Sequence, residues 1–231
     1  MIATDEVRVW RAPLDLPPAL LARLLSSLSA DERRRAARFY HPLDRDHFVA
    51  ARGQLRLLLG ELLGTTPEAV RFAYGPQGKP WLPDAAALRF NLSHAGGAAL
   101  FAFSRGRELG VDIEPLREDF ATDEVADCAF SPRELATLRA LPPADRLRGF
   151  YACWTRKEAF IKAIGLGLSA PLDGFDVTLA PGDPPAIEAV RWAPAEAARW
   201  SLRSLDGGAG YAAALAVEGH GFGLSLAELH A

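Results

Sequence analysis

The sequence has 231 residues, of which 49% are hydrophobic and 24% charged, and its formal net charge is -3 at pH 7. This is the ordinary balance of a soluble globular protein with a real core, built as one large domain or as two closely packed smaller ones. Nothing in the overall charge indicates nucleic acid or an anionic membrane as a partner. An anionic substrate must therefore be bound by a local cluster of basic residues.

The cysteine content and the least charged segments indicate where the protein acts. Cys128 and Cys153 are far apart and form no CxxC pair, which disfavours a disulfide framework or a thiolate metal site. The first residues are acidic and contain no apolar signal-peptide core. The least charged stretch, residues 90–104, is shorter than the roughly 20 apolar residues of a membrane span. These features predict a cytoplasmic protein.

In chain order, a short strand at residues 7–10 and a proline-containing loop precede the first predicted helices. Ser29 and Glu32 form the pattern of a capping box, so a helix is expected to begin at residue 30. Apolar residues then recur at helical spacing as far as Gly64. The expected elements are a helical stretch at 20–28, helices at 30–39 and 44–63, and strands at 70–74, 88–92, 98–104 and 109–113.

The second part of the chain repeats this plan. The expected elements are helices at 131–141 and 145–164 and strands at 175–179, 187–192, 200–205 and 211–217. Helices followed by strands, twice over, predict an α+β fold with a pseudo-twofold arrangement of two similar halves, each with helices packed on a mainly antiparallel sheet. We divide them as residues 1–115 and 116–231 and expect the ligand site in the cleft between them.

The predicted helix at 145–164 carries a glutamate on its apolar side. At about 100° per residue, the apolar side chains from Leu147 to Ile161 form one stripe, which contains Glu158 and has Lys162 at its edge. A carboxylate on such a face needs a partner, because burying an unpaired charge costs several kcal/mol. On this helix alone, a simple ion pair between Glu158 and Lys162 and a functional role both stay open.

Two further carboxylates follow each other in a predicted strand. Residues two apart in a strand point to the same face, so Asp112 and Glu114 aim together while Val111 and Ile113 point into a core. Adjacent carboxylates repel unless a cation lies between them, and the lack of Cys or a suitable His favours an ion such as magnesium. An isolated pair is more often a solvated strand face, but Glu158 as a third ligand favours the metal site.

The segment Phe90-Asn91-Leu92-Ser93-His94 delivers a hydroxyl and an imidazole into a turn that contains Gly96 and Gly97. Together with free backbone amides of this turn, these groups form a plausible phosphate site. His94 as the base of a nucleophile is the alternative. It has little support, because no GxSxG pattern and no matching aspartate accompany it.

Basic residues at three places are candidates for binding phosphate. Lys79 lies in a turn beside a proline and an aromatic residue, a pattern that an ordinary hairpin also explains. The run from Arg33 to Arg35 can be solvated helix surface. Arg52 is the better candidate, because its small neighbours Ala51 and Gly53 allow a ligand to approach closely. Arginine binds phosphate through a bidentate fork, and lysine binds it as a point charge.

Taken in order, these motifs resemble the 4′-phosphopantetheinyl transferases of the larger, two-half bacterial type, the surfactin-synthetase activators and their relatives. The pairing of Gly-x-Asp-Ile-Glu with Trp-x-x-Lys-Glu-Ala-x-x-Lys is the most specific part of the resemblance, which covers nearly the whole chain. Early in the chain, Glu32 stands where relatives can carry a lysine. The matching segments are 29–40, 78–80, 90–94, 110–114, 130–134, 154–162 and 165–168.

The resemblance implies a pseudo-twofold monomer that binds coenzyme A between its halves. It implies that Asp112, Glu114 and Glu158 hold Mg²⁺, for which Mn²⁺ can substitute. Glu158 and Lys162 would be the catalytic residues, with Lys162 in contact with the reacting phosphate. The remaining contacts to the phosphates of coenzyme A would come from Arg35, Arg52, Lys79, Ser93 and His94.

The implied reaction moves the phosphopantetheine arm of coenzyme A onto a serine of an apo acyl or peptidyl carrier protein and releases adenosine 3′,5′-bisphosphate. Carriers of fatty-acid, polyketide and nonribosomal peptide synthesis all fit, and the surface that selects them is expected near residues 130–141. Nucleic acid and membranes are not expected partners. Two other classes stay open: a magnesium-dependent phosphodiesterase acting on coenzyme A, and a non-catalytic module that binds coenzyme A or a carrier domain.

Overall fold

The computed structural model describes residues 2–229, apart from the side chain of Leu168. Three residues of the predicted halves therefore lie outside the described residues, namely Met1 and residues 230–231. So does the side chain of Leu168, which belongs to the last matching segment. Within that range no helix combines the length and the apolar character needed to cross a membrane. The helices found there are α1 (Pro18–Ser27), α2 (Ala30–Ala36), α3 (Pro42–Leu63), α4 (Asp123–Ala129), α5 (Pro132–Ala140) and α6 (Pro143–Ile164). The strands are β1 (Glu6–Pro13), β2 (Ala73–Tyr74), β3 (Pro80–Trp81), β4 (Leu88–Ala95), β5 (Ala98–Arg105), β6 (Leu109–Pro115), β7 (Phe175–Val177), β8 (Ile187–Val190), β9 (Trp200–Leu205), β10 (Tyr211–Glu218) and β11 (Gly223–Glu228).

The two larger sheets repeat one topology. Their strand orders are β11-β1-β5-β4 and β6-β10-β9. Strand β1 precedes α1 to α3 as β6 precedes α4 to α6, and β1 pairs antiparallel with β5 as β6 pairs antiparallel with β10. Strand β11, which runs parallel to β1, is an addition to the first sheet. The predicted α+β fold, with two similar halves and mainly antiparallel sheets, is confirmed.

The alternation of side chains along the strands builds a layered molecule. In β5, Leu100 lies in the core between the two sheets, whereas Phe101 packs in the core shared with α3. In β10, Leu215 lies between the sheets, whereas Ala214 packs in the core shared with α6. Neighbouring residues of a strand point to opposite faces, so each sheet contacts the other sheet on one side and its helices on the other. The order of layers is helix, sheet, sheet, helix.

Strand β6 belongs to the second sheet by its hydrogen bonds. Its residues pair with β10, although the division made from the sequence places residues 1–115 in the first half. Val111 and Ile113 are buried between the sheets, which confirms the side predicted for them. The residues that alternate with them, including Asp112, therefore face the α6 side of the sheet.

Several element ends differ from the predictions. Helix α2 ends at Ala36 rather than at residue 39, because the amides of Arg38 and Phe39 bond to carbonyls three residues earlier and tighten the chain into a turn. The predicted strand at 70–74 is reduced to the two residues of β2. The elements α4, β3 and β11 were not predicted, because they are too short or too exposed to show a clear hydrophobic period.

Each half buries the glutamate of a capping box and pairs it with a cation of the following long helix. Glu32 accepts a hydrogen bond from Arg56 Nε at 2.6 Å, and Glu134 pairs with Lys157 Nζ at 2.8 Å. Both cations lie 14 residues after the first residue of a 22-residue helix, from 42 to 56 and from 143 to 157. Each also donates to two backbone carbonyls of the next segment. The pairing satisfies charges that would otherwise be buried alone.

Gly110 allows the backbone of β6 to touch α6. A Cβ atom at this position would lie 2.2 Å from Ala159 O and 2.4 Å from Ala163 N. Both contacts are with backbone atoms of the helix, which cannot rotate away as a side chain can. A glycine is therefore required where the strand crosses the helix, two residues before Asp112.

We predict that Gly110→Ala lowers the free energy of unfolding by about 3 kcal/mol, because overpacking here must separate β6 from α6. Gly223→Ala is the matched control: this glycine also lies in a strand, and its added Cβ would be 3.8 Å from the nearest atom, Asp5 O. Urea unfolding measures both variants. Equal stability of the two variants would contradict the close-contact explanation.

Candidate active site

Three elements bring Ser93, Asp112 and Lys162 into direct contact. Lys162 Nζ of α6 donates to Ser93 Oγ of β4 at 2.9 Å and to Asp112 Oδ1 of β6 at 2.5 Å. Ser93 Oγ donates to the same carboxylate oxygen at 2.9 Å. Ser93 and Asp112 are buried. Among the ion pairs of the described chain, Lys162 thus takes Asp112 rather than Glu158 as its partner, unlike the local pair that the helix pattern left open.

A buried amide fixes β4 against β6. Asn91 Oδ1 accepts a hydrogen bond from Val111 N at 2.9 Å. This contact joins the strand of Ser93 to the strand of Asp112 and crosses from the first sheet to the second. Asn91 was not among the predicted site residues. Its position between the apolar residues Phe90 and Leu92 of β4 was the available signal, because a buried amide requires hydrogen-bond partners.

Glu114 and Glu158 complete a group of carboxylates around this contact. Burial, and then the negative charge of Asp112, raise the pKa of Glu114 to about 7. Burial is also the main cause that raises the pKa of Glu158, while the positive charge of Lys162 opposes the shift. A dehydrated site with several acids favours their neutral forms. Near neutral pH the group therefore carries less negative charge than three solvated carboxylates would.

Two carboxylate oxygens of the site lack a donor. Asp112 Oδ2 and Glu158 Oε1 are buried, and neither has a hydrogen-bond partner among residues 2–229. An unsatisfied buried polar atom costs about 1–3 kcal/mol, and carboxylate oxygens are the ligands that Mg²⁺ prefers. These two oxygens therefore fit a bound divalent cation. In the same range no three His, Cys, Asp or Glu side chains already form a metal-binding group, so the trio of Asp112, Glu114 and Glu158 stays a prediction.

A cavity of about 340 Å³ lies in the first half, and its wall includes Asn91 and His94 of β4, the strand that also carries Ser93. Its wall includes Arg35, Arg52 and His94, so α2, α3 and β4 each contribute one of the predicted phosphate ligands. These are the side chains of the wall that can bind an anionic substrate, and they face two acidic residues, of which Glu32 is already paired with Arg52 and Arg56. The rest of the wall consists of Asp31, Glu32, Phe48, Ala51, Tyr74, Gly78, Pro80, Asn91 and Leu92.

Arg52 is held in place on several sides. Its Nε donates to Glu32, its Nη2 donates to Tyr74 Oη at 2.7 Å, and its guanidinium carbon lies 4.0 Å from the centre of the Phe72 ring. Burial acts to raise the pKa of Glu32, but the hydrogen bond from Arg56 and the charge of Arg52 outweigh it and lower that pKa. One carboxylate faces two guanidinium groups, so the cluster keeps a net positive charge beside the cavity.

His94 reaches the cavity without a carboxylate partner. Its side chain keeps an exposed surface, yet the dehydration of its ring, and then the positive charge of Lys162, lower its pKa. Among the described residues no carboxylate accepts a hydrogen bond from this imidazole. The alternative of His94 as the base of a catalytic triad therefore gains no support from the geometry.

Lys79 is directed away from this cavity. Its ammonium contacts the Glu108 carboxylate and backbone carbonyls of β6 and α6, and it does not line the cavity with the arginines. Burial lowers the pKa of Lys79, while the charge of Glu108 opposes the shift. Of the six predicted contacts to coenzyme A, Arg35, Arg52 and His94 share the cavity, Ser93 and Lys162 share the carboxylate site, and Lys79 lies apart.

Comparison with known proteins agrees with the motifs. The model of the 4′-phosphopantetheinyl transferase superfamily matches residues 108–216, and that of the N-terminal 4′-phosphopantetheinyl transferase domain matches residues 17–105. The 4′-phosphopantetheinyl transferase HetI of Nostoc sp. is 42% identical over 96% of this chain and 91% of its own length. The chain belongs to the 4′-phosphopantetheinyl transferase superfamily. It is an enzyme of this type, and the predicted family is confirmed.

Other relatives span less of the chain. The 4′-phosphopantetheinyl transferase Sfp of Bacillus subtilis is 34% identical over 68% of this chain and 69% of its own length. Among solved structures, a holo-(acyl-carrier-protein) synthase from Bacillus anthracis aligns with a TM-score of 0.38 and 19% identity over 49% of this chain and 96% of that chain.

We predict that Glu114→Gln stabilises the metal-free protein at pH 8 but not at pH 4.5. The pKa of Glu114 is 4.5 in the unfolded chain and about 7 in the folded protein. Between these pH values the carboxyl ionises more readily in the unfolded chain, so the folded protein loses stability as the pH rises. Glutamine imitates the protonated acid at every pH. Thermal unfolding with a chelator present should show a Tm increase of roughly 2–4 °C at pH 8, equivalent to about 1 kcal/mol. Glu118→Gln, at an exposed glutamate, is the control. A Tm increase of Glu114→Gln at both pH values would refute the explanation.

Proposed function

We propose that the protein transfers the 4′-phosphopantetheine group of coenzyme A to a serine of an apo acyl or peptidyl carrier protein and releases adenosine 3′,5′-bisphosphate, in a reaction that requires Mg²⁺ or, in its place, Mn²⁺. The proposal extends the enzyme class to particular substrates and to a metal. Carriers of fatty-acid, polyketide or nonribosomal peptide synthesis are the candidate acceptors.

The observation that carries the proposal is that β4 joins a site with two unsatisfied carboxylate oxygens to a cavity lined by two arginines. Asp112 Oδ2 and Glu158 Oε1 lack donors, and Lys162 lies against the same aspartate. Arg35 and Arg52 line the cavity whose wall includes His94, the neighbour of Ser93 in β4. A ligand that carries several phosphates can place some of them among the arginines and its reacting phosphate beside Lys162.

Glu158 is the base in this proposal. No donor of the described chain bonds to the Glu158 carboxylate, so its Oε2 can accept the proton of the carrier serine while Oε1 stays available to a cation. The burial that raises its pKa makes it a better proton acceptor than a solvated carboxylate. The serine oxygen then forms a bond to the β-phosphorus of coenzyme A. The bond from that phosphorus to adenosine 3′,5′-bisphosphate breaks, and the proton stays on Glu158 until solvent removes it.

Lys162 and the arginines balance the phosphate charge. The ammonium of Lys162 reaches Ser93 and Asp112 and can offset the charge that develops on the reacting phosphate and on the departing nucleotide. Arg35, Arg52 and His94 orient the remaining phosphates from the cavity wall. Mg²⁺ held by Asp112, Glu114 and Glu158 would supply further positive charge to the pyrophosphate.

One chain provides all of these residues, which supports a monomer as the active form. The same proposal includes the cytoplasmic location and the absence of nucleic-acid and membrane partners that the sequence predicts. It also keeps residues 130–141 as the surface that selects the carrier, since α5 buries Glu134 and Leu138 but exposes its opposite face in the half that contains α6.

Intact-protein mass spectrometry tests the function directly. A panel of apo carrier proteins is incubated with the protein, coenzyme A and Mg²⁺, with and without a chelator. We expect at least one carrier to gain the mass of one phosphopantetheine only when the metal is available. Release of the nucleotide without any carrier modification would replace the proposal with a phosphodiesterase, and binding of coenzyme A without either product would replace it with a binding module.

We predict that Glu158→Gln keeps most of the affinity for coenzyme A and lowers kcat by at least about 100-fold, because glutamine cannot take the serine proton. The rate is measured at a Mg²⁺ concentration above which it no longer changes. Glu61→Gln is the control, since Glu61 is an exposed glutamate of the corresponding helix α3. Near-normal turnover of Glu158→Gln would remove Glu158 from the role of base.

A further inference from the structure

All three hydrogens of the Lys79 ammonium have protein acceptors. Lys79 Nζ donates to Glu108 Oε2 at 3.1 Å, to Leu109 O at 3.1 Å and to Ala163 O at 2.8 Å. A lysine ammonium has three donors and no acceptor, so this set of contacts uses its full capacity. A phosphate could bind Lys79 only by displacing one of these oxygens, which is either the carboxylate oxygen of the part-exposed Glu108 or a backbone carbonyl that would then lose this donor.

The acceptors belong to the two elements that carry the candidate catalytic residues. Leu109 is the first residue of β6, and Ala163 lies in the last turn of α6. The last four carbonyls of an α-helix lack partners within the helix, and a cation there also opposes the negative end of the helix dipole. Lys79 therefore caps the C-terminal end of α6 and attaches it to the start of β6, the strand that contains Asp112.

The third element attached by Lys79 is the hairpin of β2 and β3. Its turn is closed by Gly75 N, which donates to Lys79 O at 2.9 Å, and by Gly78 N, which donates to Gly75 O at 2.9 Å. Tyr74 and Gly78 of this hairpin line the cavity whose wall contains Arg35 and Arg52. Tyr74 also accepts a hydrogen bond from Arg52. One side chain thus connects the wall of the cavity to both elements of the carboxylate site.

We propose that Lys79 is a positioning residue: with Glu108 it fixes the start of β6 against the end of α6 and thereby sets the distance between Asp112 and Glu158. It does not act as a phosphate ligand. This inference rests on the proposed transfer reaction for its kinetic consequence, whereas its structural consequence can be measured without substrate. Because catalysis depends on placement to a fraction of an ångström, loosening this attachment lowers turnover more than it lowers substrate affinity.

The kinetic test compares Lys79→Met with Glu108→Gln. If Lys79 positions the site, Lys79→Met lowers kcat roughly 10- to 100-fold with less than about a threefold change in KM for coenzyme A. Glu108→Gln lowers kcat in the same direction, and the double variant is no worse than Lys79→Met, because both changes break one interaction. If Lys79 binds phosphate, Lys79→Met raises KM at least about tenfold, and Glu108→Gln, which frees the ammonium, leaves KM unchanged or lowers it. That result would overturn the inference.

Two further variants separate positioning from a general loss of stability. Arg89 contacts the other oxygen of Glu108, at 3.2 Å, so Arg89→Met disturbs Glu108 without touching Lys79 and should keep its kcat. Lys79→Arg retains a cation with several donors and should recover part of the kcat that Lys79→Met loses. An unchanged kcat in Lys79→Met, or an equal loss in Arg89→Met, would count against the positioning role.

Amide hydrogen exchange provides a readout that needs no activity. In Lys79→Met, the last turn of α6 should exchange faster than in the wild type, whereas the first turn should not change, because only the C-terminal end is attached by Lys79. This result can be obtained even if the wild type transfers nothing to any carrier, which would refute the proposed function alone. Unchanged exchange at the end of α6 would refute the positioning inference alone.

Discussion

The close contact of β6 with α6 is the constraint on which the site depends. Because Gly110 has no side chain, the strand backbone lies against Ala159 and Ala163 of the helix. Alternation along β6 then turns Asp112 toward the same helix, where Lys162 meets it. A larger residue at the crossing would separate the strand from the helix, and the ammonium would no longer reach the carboxylate. The geometry of the charges therefore follows from a packing contact between backbones.

Both halves bury a glutamate against a cation, but the second oxygen of this glutamate has a different partner in each half. Each buries a capping glutamate against a cation 14 residues into the next long helix. In the second half, the remaining oxygen of Glu134 accepts the backbone amide of Val177, so the pair is purely structural. In the first half, the corresponding oxygen of Glu32 holds Arg52, which reaches the cavity wall. A stabilising pair that both halves contain thus contributes, through Glu32 and Arg52, to the wall of the cavity in the first half.

The sequence predicted the parts of the site that depend on local periodicity. The helical stripe placed Glu158 and Lys162 on one side of α6, and the strand pattern turned Asp112 away from the core of Val111. Contacts between distant segments were not predictable in this way. Lys79 donates hydrogen bonds to Glu108, which lies 29 positions away in the sequence, and to Ala163, which lies 84 positions away. Some of its acceptors are backbone carbonyls, which have no signature in the sequence. The turn that contains Lys79 and Pro80 has the sequence pattern of a phosphate-binding motif. The actual partners of Lys79 depend on how the hairpin of β2 and β3 packs against β6 and α6.

The charge balance of the site explains why it can hold several carboxylates before a substrate binds. Lys162 and Ser93 occupy Oδ1 of Asp112, and Glu114, with a pKa of about 7, can take up a proton as its neighbours ionise. These two effects relieve the repulsion without using Oδ2 of Asp112 or Oε1 of Glu158. In the proposed reaction the same two oxygens are the ones that a divalent cation would take, so metal binding would not require Lys162 to leave Asp112. Lys162 would then remain next to the reacting phosphate, where its charge acts on the leaving group.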